Sequence, residues 1–290
     1  MIISKIAITS FVDTGQYFVD EVNQMTLSGK DLDERFTFVI FAHPAILNKI
    51  KKRHNVLVYE YESPKDIYYE TYKYAKSLEF VKANDHILKN YDYLIKTDTD
   101  VFFTKNMNNY VFDDKISFRP GSYSLNKKCK EQTYELANKF NYSNYKKMFN
   151  AGATLFGPSL DIINIMNLSD ILCKDIFYLL CPDGNFGDTI EDTWQKSLYS
   201  GTSTLIATEI VISSLFDLDK FITTDSIDAN CFSTDSLDGI FHIHQWHGEE
   251  MYSKFKARDG DYDNIVYQDA NTISGYCFNI FLENKKEINV

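Results

Sequence analysis

Short apolar runs rich in β-branched and aromatic residues alternate with helix-like patterns over the first hundred positions, and this alternation constrains the fold more than any other feature. The runs are Ile6 to Phe11, Phe36 to Phe41, Val56 to Tyr61 and Tyr93 to Thr97. Neighbouring parallel strands need crossover connections of a dozen or more residues, which hairpins cannot supply. A spacing of roughly thirty residues per unit therefore predicts βαβ units around a mostly parallel central sheet, an α/β fold flanked by helices. A helix is predicted from near Pro64, with Ile67, Thr71, Tyr74, Leu78 and Val81 on one face. Later come a strand at Asn150 to Phe156 and a helix with Ile162, Ile163, Met166 and Ile171 as a core stripe. A helix at Leu205 to Leu215, a strand at Leu237 to His244 and a helical pattern near Ile280 follow. Between Cys181 and Gly201 the chain is polar and glycine-punctuated, as a substrate-side loop would be.

No repeat, low-complexity tract or Pro/Gly/Ser linker divides the 290 residues, so one domain over 1–290 is expected. Residues 1–104 read as a nucleotide-binding half, and 105–290 as an acceptor-side half with a C-terminal lid. That lid, around Glu249 to Tyr262, reads as polar, tyrosine-rich and short of apolar anchors. A net charge of -11 leaves no broad basic face, so nucleic acid is not an expected partner. Apolar runs fall far short of the roughly 20 residues that span a bilayer, and the first residues read as a strand instead of a leader. The expectation is a cytoplasmic protein with no integral membrane segment. Five cysteines, none in a C-x-x-C pair, read as reduced, buried thiols.

Chemistry concentrates in Tyr93-Leu-Ile-Lys-Thr-Asp-Thr-Asp-Val-Phe-Phe103, where an apolar strand delivers Asp98 and Asp100 at its C-terminal end. Ligands of open α/β sheets bind at the carboxyl ends of the strands. Two carboxylates two residues apart can share one hard cation, Mn²⁺ or Mg²⁺, and such a cation bridges phosphates. A pair of loop-capping aspartates is the plain alternative. Further on, His242 and His244 face the same side of a strand, with His247 beyond a turn. They are ligand candidates, or buried histidines satisfied by backbone groups. The H-x-H-x-x-H spacing also resembles the metal motif of metallo-β-lactamase hydrolases, but Trp246 stands where that motif has an aspartate. G-x-G-x-x-G, P-loop, G-x-S-x-G and H-E-x-x-H patterns are all absent from the sequence.

Taken in order, Asp98-Thr-Asp100, Phe149-Asn-Ala-Gly-Ala-Thr-Leu-Phe156, Thr208-Glu209-Ile210 and His242-Ile-His244-Gln-Trp-His247-Gly248 followed by Lys254 resemble the nucleotide-sugar glycosyltransferases of the GT-A fold, especially the glycogenin and galactosyltransferase group. The family's K-P-W ending is replaced here by Ser253-Lys254-Phe255. The resemblance implies a Rossmann-like GT-A fold, a metal held by Asp98, Asp100 and His244 (His242 being the substitute), and a diphosphate met by Lys254. It implies that Thr9, Ser10 and Tyr17 hold the base and ribose and that Asn150 and Gly152 line the sugar and acceptor pocket. Ser77 faces the donor on this reading, His242 contacts substrate, and Glu209 stands beside the transferred sugar. Asp192, next to Glu191, resembles an acid that serves as base in inverting enzymes.

The function expected is transfer of a sugar from a nucleoside diphosphate donor, UDP-sugars first, to a hydroxyl of a glycan, protein or small molecule, with retention preferred over inversion. Two alternatives stand beside it. One is a nucleotide-sugar or carbohydrate-binding protein of the same fold without turnover. The other is a sugar-nucleotidyltransferase, although the loop Val12-Asp-Thr-Gly-Gln16 has one glycine and no basic residue.

Overall fold

A computed structural model describes residues 4–121, 127–180, 202–245, 251–262 and 264–288. The chain is mixed α/β, with a mostly parallel central sheet flanked by helices in a Rossmann-like arrangement. Its strands are β1 (Ile6–Val12), β2 (Phe36–Ala42), β3 (Val56–Glu60), β4 (Tyr93–Lys96), β5 (Val101–Phe103), β6 (Ile116–Phe118), β7 (Leu155–Pro158), β8 (Phe221–Thr223), β9 (Ala229–Asn230) and β10 (His242–His244). Its α-helices are α1 (Gln16–Ser28), α2 (Ile67–Thr71), α3 (Lys76–Ala83), α4 (Asp85–Leu88), α5 (Lys127–Lys139), α6 (Ser159–Leu180), α7 (Ser203–Leu215), α8 (Lys254–Asp259) and α9 (Ile273–Ile288). Two compact units emerge, and neither is a continuous stretch of chain.

The first unit gathers Met1–Tyr61, Thr97–Val111 and Thr224–Val290. Strands β1, β2 and β3 lie side by side and parallel, with Ile6 opposite Phe36 and Phe38 opposite Val56. Ile8, Phe38, Val39, Ile40 and Phe41 are all buried, as both faces of a parallel sheet are, which is why these runs show no alternation. A second, smaller sheet has β10 in the middle, antiparallel to β5 and parallel to β9. Helix α1 packs against β5 and against α9. Under them Phe102, Ile243, Tyr252, Tyr262, Phe278 and Phe281 share one apolar cluster.

The second unit comprises Glu62–Lys96 and Phe112–Thr223. Its strands run in the order β4, β7, β6, β8, with β7 antiparallel to both neighbours and β8 parallel to β6. The long helix α6 packs on α7 and on α3. Nearly all of α7 is buried, Glu209 included.

Several expectations need correction. The helix from Pro64 is broken at Tyr72, whose ψ of 75° leaves the helical region, and Ile67 and Tyr74 of its supposed core face are 68% and 64% exposed. Leu78 and Val81 go inward as expected, but ahead of them Tyr68 and Tyr72 take the places of Ile67 and Tyr74, their rings packing against Phe177 with the Tyr72 ring stacking at 5.0 Å. Ile162, Ile163 and Met166 are buried as expected, but Ile171 lies 56% exposed, and the buried stripe of α6 continues instead through Leu172, Cys173, Ile176 and Phe177. The strand expected from Asn150 begins only at Leu155, since Asn150 has φ +59°. The strand expected from Leu237 is confined to His242–His244.

The tyrosine-rich segment expected to lack anchors has two of them. Tyr252 and Tyr262 bury their rings, and Tyr252 directs its hydroxyl to Gln24 and Gln245, at 3.3 and 3.4 Å. Cys129, Cys173, Cys231 and Cys277 are buried thiols. Among the described residues no helix is long and apolar enough to cross a membrane.

Candidate metal centre

Register between two short strands builds the site. In the antiparallel pairing of β10 with β5, His244 stands opposite Val101, and the Gln245 N–H continues the ladder to the Asp100 carbonyl at 2.9 Å. The imidazole of residue 244 is thereby delivered beside the carboxylate of residue 100. The chain entering the turn is fixed by the Thr97 N–H, which donates to the Thr9 carbonyl at 3.1 Å. With period two along β10, Ile243 points into the apolar cluster and the two histidines point the other way.

Ligand atoms of Asp98, Asp100 and His244 lie within 4.8 Å of one another. His244 Nε2 is 3.5 Å from Asp100 Oδ1, and His244 Nδ1 is 3.4 Å from Asp228 Oδ1. The other Asp100 oxygen accepts from Lys254 Nζ. Burial alone would raise the Asp100 pKa, but the charges of His244 and Lys254 outweigh it and hold the carboxyl well below the usual carboxylate range. Burial would lower His244 and Lys254, and the Asp100 carboxylate, joined by Asp228 at His244, pushes both above their ordinary values instead. Two carboxylates and an imidazole on a tight radius fit a divalent cation, the oxygens suiting Mg²⁺ or Mn²⁺ and the nitrogen favouring Mn²⁺.

Around this centre stand groups that sequence reasoning missed. Glu21 of α1, buried, accepts from Thr99 Oγ1 at 2.8 Å and from the Arg258 guanidinium. It thus ties the middle of the D-T-D turn to α8. Burial and the nearby Asp100 charge raise its pKa, opposed by Arg258 and Thr99. Asp228 touches both His242 and His244. No local pattern marks either residue; each meets its partners only through the fold.

The remaining expected residues divide between the units. Thr9 is buried and donates to the Val39 carbonyl at 2.9 Å, and Ser10 is buried beside it in β1. Tyr17 is 42% exposed, with the Arg258 guanidinium 4.5 Å from its ring centre. His242 is buried between Thr97 and Asp228, which makes it an anchor. All of these belong to the first unit, with Asp98, Asp100, His244 and Lys254.

Ser77, Asn150, Gly152 and Glu209 belong to the second. There Glu209, 0% exposed, accepts from the N–H groups of Phe149 at 2.8 Å and Ala151 at 3.0 Å and from the Tyr145 hydroxyl at 3.4 Å. Its carboxylate holds the 149–151 loop in shape. Burial raises its pKa against those hydrogen bonds. Glu191, Asp192 and His247 lie outside the described residues.

Fold and site together define an α/β protein with an acidic cluster completed by histidine and capable of holding a metal. The chain belongs to the family described as Domain of unknown function (DUF7164), whose model matches residues 20–289. No curated protein matches it.

Proposed function

We propose that this chain is a metal-dependent glycosyltransferase that takes a nucleoside diphosphate sugar, a UDP-sugar first, and transfers the sugar to an acceptor hydroxyl on a glycan, protein or small molecule. One observation carries the reading: Asp98, Asp100 and His244 converge within 4.8 Å, with Lys254 on the same Asp100 carboxylate. With a net charge of -11, the chain would need the local positive charge of Lys254 and of a cation on this cluster to receive a diphosphate.

A divalent cation, when bound, supplies the charge that neutralises a departing diphosphate. Asp98, Asp100 and His244 would hold it. Lys254, kept protonated beside Asp100, offers a second positive group to the same phosphates. Leaving-group stabilisation of this kind suits a retaining transfer, in which the phosphate itself accepts the acceptor proton and no strong base is required. Glu209, fully engaged with the 149–151 loop, then has a structural part.

The test is a thermal-shift screen of nucleotide sugars on the full chain, with and without Mn²⁺, followed by donor hydrolysis. Mn²⁺ and UDP together should raise the melting temperature more than either alone, because ligands that bind only the native state stabilise it by mass action. The best donor should lose its sugar slowly to water, and Asp100→Ala should abolish both effects. Saturable donor affinity with no sugar released to water or to any acceptor would make the chain a binding protein instead.

A further inference from the structure

His242 and His244 share one side of β10 but have different surroundings. His244 reaches Asp100 with Nε2, whereas His242 Nε2 lies 3.1 Å from Thr97 Oγ1. Between the two rings stands one carboxylate oxygen: Asp228 Oδ1 is 3.0 Å from His242 Nδ1 and 3.4 Å from His244 Nδ1. We propose that Asp228 is a positioning residue of the metal centre: its carboxylate, 3.4 Å from the Nδ1 side of His244, attracts that side of the ring by charge and keeps Nε2 turned toward Asp98 and Asp100, while His242, fastened to Thr97, holds that carboxylate in place. The proposal rests on the metal reading of the Asp98, Asp100 and His244 cluster.

Metal-ligating histidines regularly give their second ring nitrogen to a carboxylate, which fixes ring orientation and tautomer. Asp228 is built for this at a conformational cost. Its φ of +52° is left-handed, a region that side chains other than Asn and Asp enter rarely. The next residues form β9, and Cys231 N–H donates to the His244 carbonyl at 3.3 Å, so the backbone that bends at Asp228 is locked to the strand it serves. The order Thr97, His242, Asp228 also has the look of a nucleophile, base and acid. All three are buried to 2% exposure or less, however, so no substrate reaches the Thr97 hydroxyl.

The experiment titrates Mn²⁺ alone into the full chain by electron paramagnetic resonance and reads ring-nitrogen NMR of the Mg²⁺-saturated protein. Asp228→Ala deletes the carboxylate and is expected to weaken Mn²⁺ binding by about 10- to 100-fold, with His244 passing from one tautomer to a mixture. Asp228→Asn tolerates the same backbone and keeps an acceptor oxygen without its charge, so it should fold and show an intermediate loss. If the alanine variant does not fold, the asparagine variant decides. Folded variants that bind Mn²⁺ within about twofold of wild type and keep one His244 tautomer would make Asp228 a core ion pair and overturn the proposal. A wild-type chain that takes up no Mn²⁺ overturns the metal reading itself, which the variants cannot mimic.

Discussion

On the proposed reading, Lys254 and a divalent cation would compete for the Asp100 carboxylate. The Lys254 ammonium pairs with Asp100, so a metal held by that carboxylate would have to exchange with it. Lys254→Ala should therefore bind Mn²⁺ alone more tightly, by roughly three- to tenfold, and bind UDP in the presence of Mn²⁺ more weakly by a similar factor. Calorimetric titration of both ligands checks the pair; a change of the same sign in both would rule out the exchange. Glu209→Gln gives up the charged acceptor shared by two buried N–H groups, and should cost about 1–3 kcal/mol in denaturant unfolding. The D-T-D pair was legible because its spacing is local. Glu21 was not, since its partner Thr99 lies 78 residues away, and neither was Asp228, fourteen residues from His242.

Packing between helices supplies a pH response in the second unit. Glu79 of α3 is buried near Asp170 of α6, which also takes Lys82 Nζ at 2.9 Å and the Tyr69 hydroxyl at 3.0 Å. Burial, with the Asp170 charge adding and Lys82 opposing, pushes Glu79 up to about 7 from an ordinary 4.5. Between those values the folded chain keeps a proton that the unfolded chain releases, so stability falls as pH rises through the window. Glu79→Gln should flatten that fall and gain about 1–2 kcal/mol at pH 8, allowing for screening, as read from denaturant midpoints at pH 5 and pH 8. The long parallel strands were readable because each is a continuous apolar run. Strands of two or three residues, such as β6, β8 and β9, are too short to show a period, and pairing partners alone create them. The tyrosines of α2 and of the C-terminal segment misled for another reason: a ring with a polar tip counts as polar in a pattern yet packs as core, as Tyr68 and Tyr252 do.

Three separated stretches of chain compose the first unit, and the last of them supplies His244, Lys254 and all of α9. A chain ending at Thr223 keeps β1, β2 and β5 but loses Tyr252, Phe278 and Phe281 from the cluster over Phe102. It is expected to lose near-ultraviolet circular dichroism from this unit and to bind a hydrophobic dye, as cores do without their packing. Native ellipticity in that truncation would show the last stretch to be dispensable. The same architecture sets a schedule for synthesis. Asp100 leaves the ribosome 154 residues before Lys254 follows, an interval of about 8 to 30 s at ordinary elongation rates. For most of it Val101, Phe102 and Phe103, wholly buried in the finished fold, wait without β10, and for all of it without α9, to cover them. In the nascent chain the strand beside the carboxylates therefore invites chaperones or aggregation until the final stretch emerges, and slower translation downstream of Phe103 prolongs that exposure.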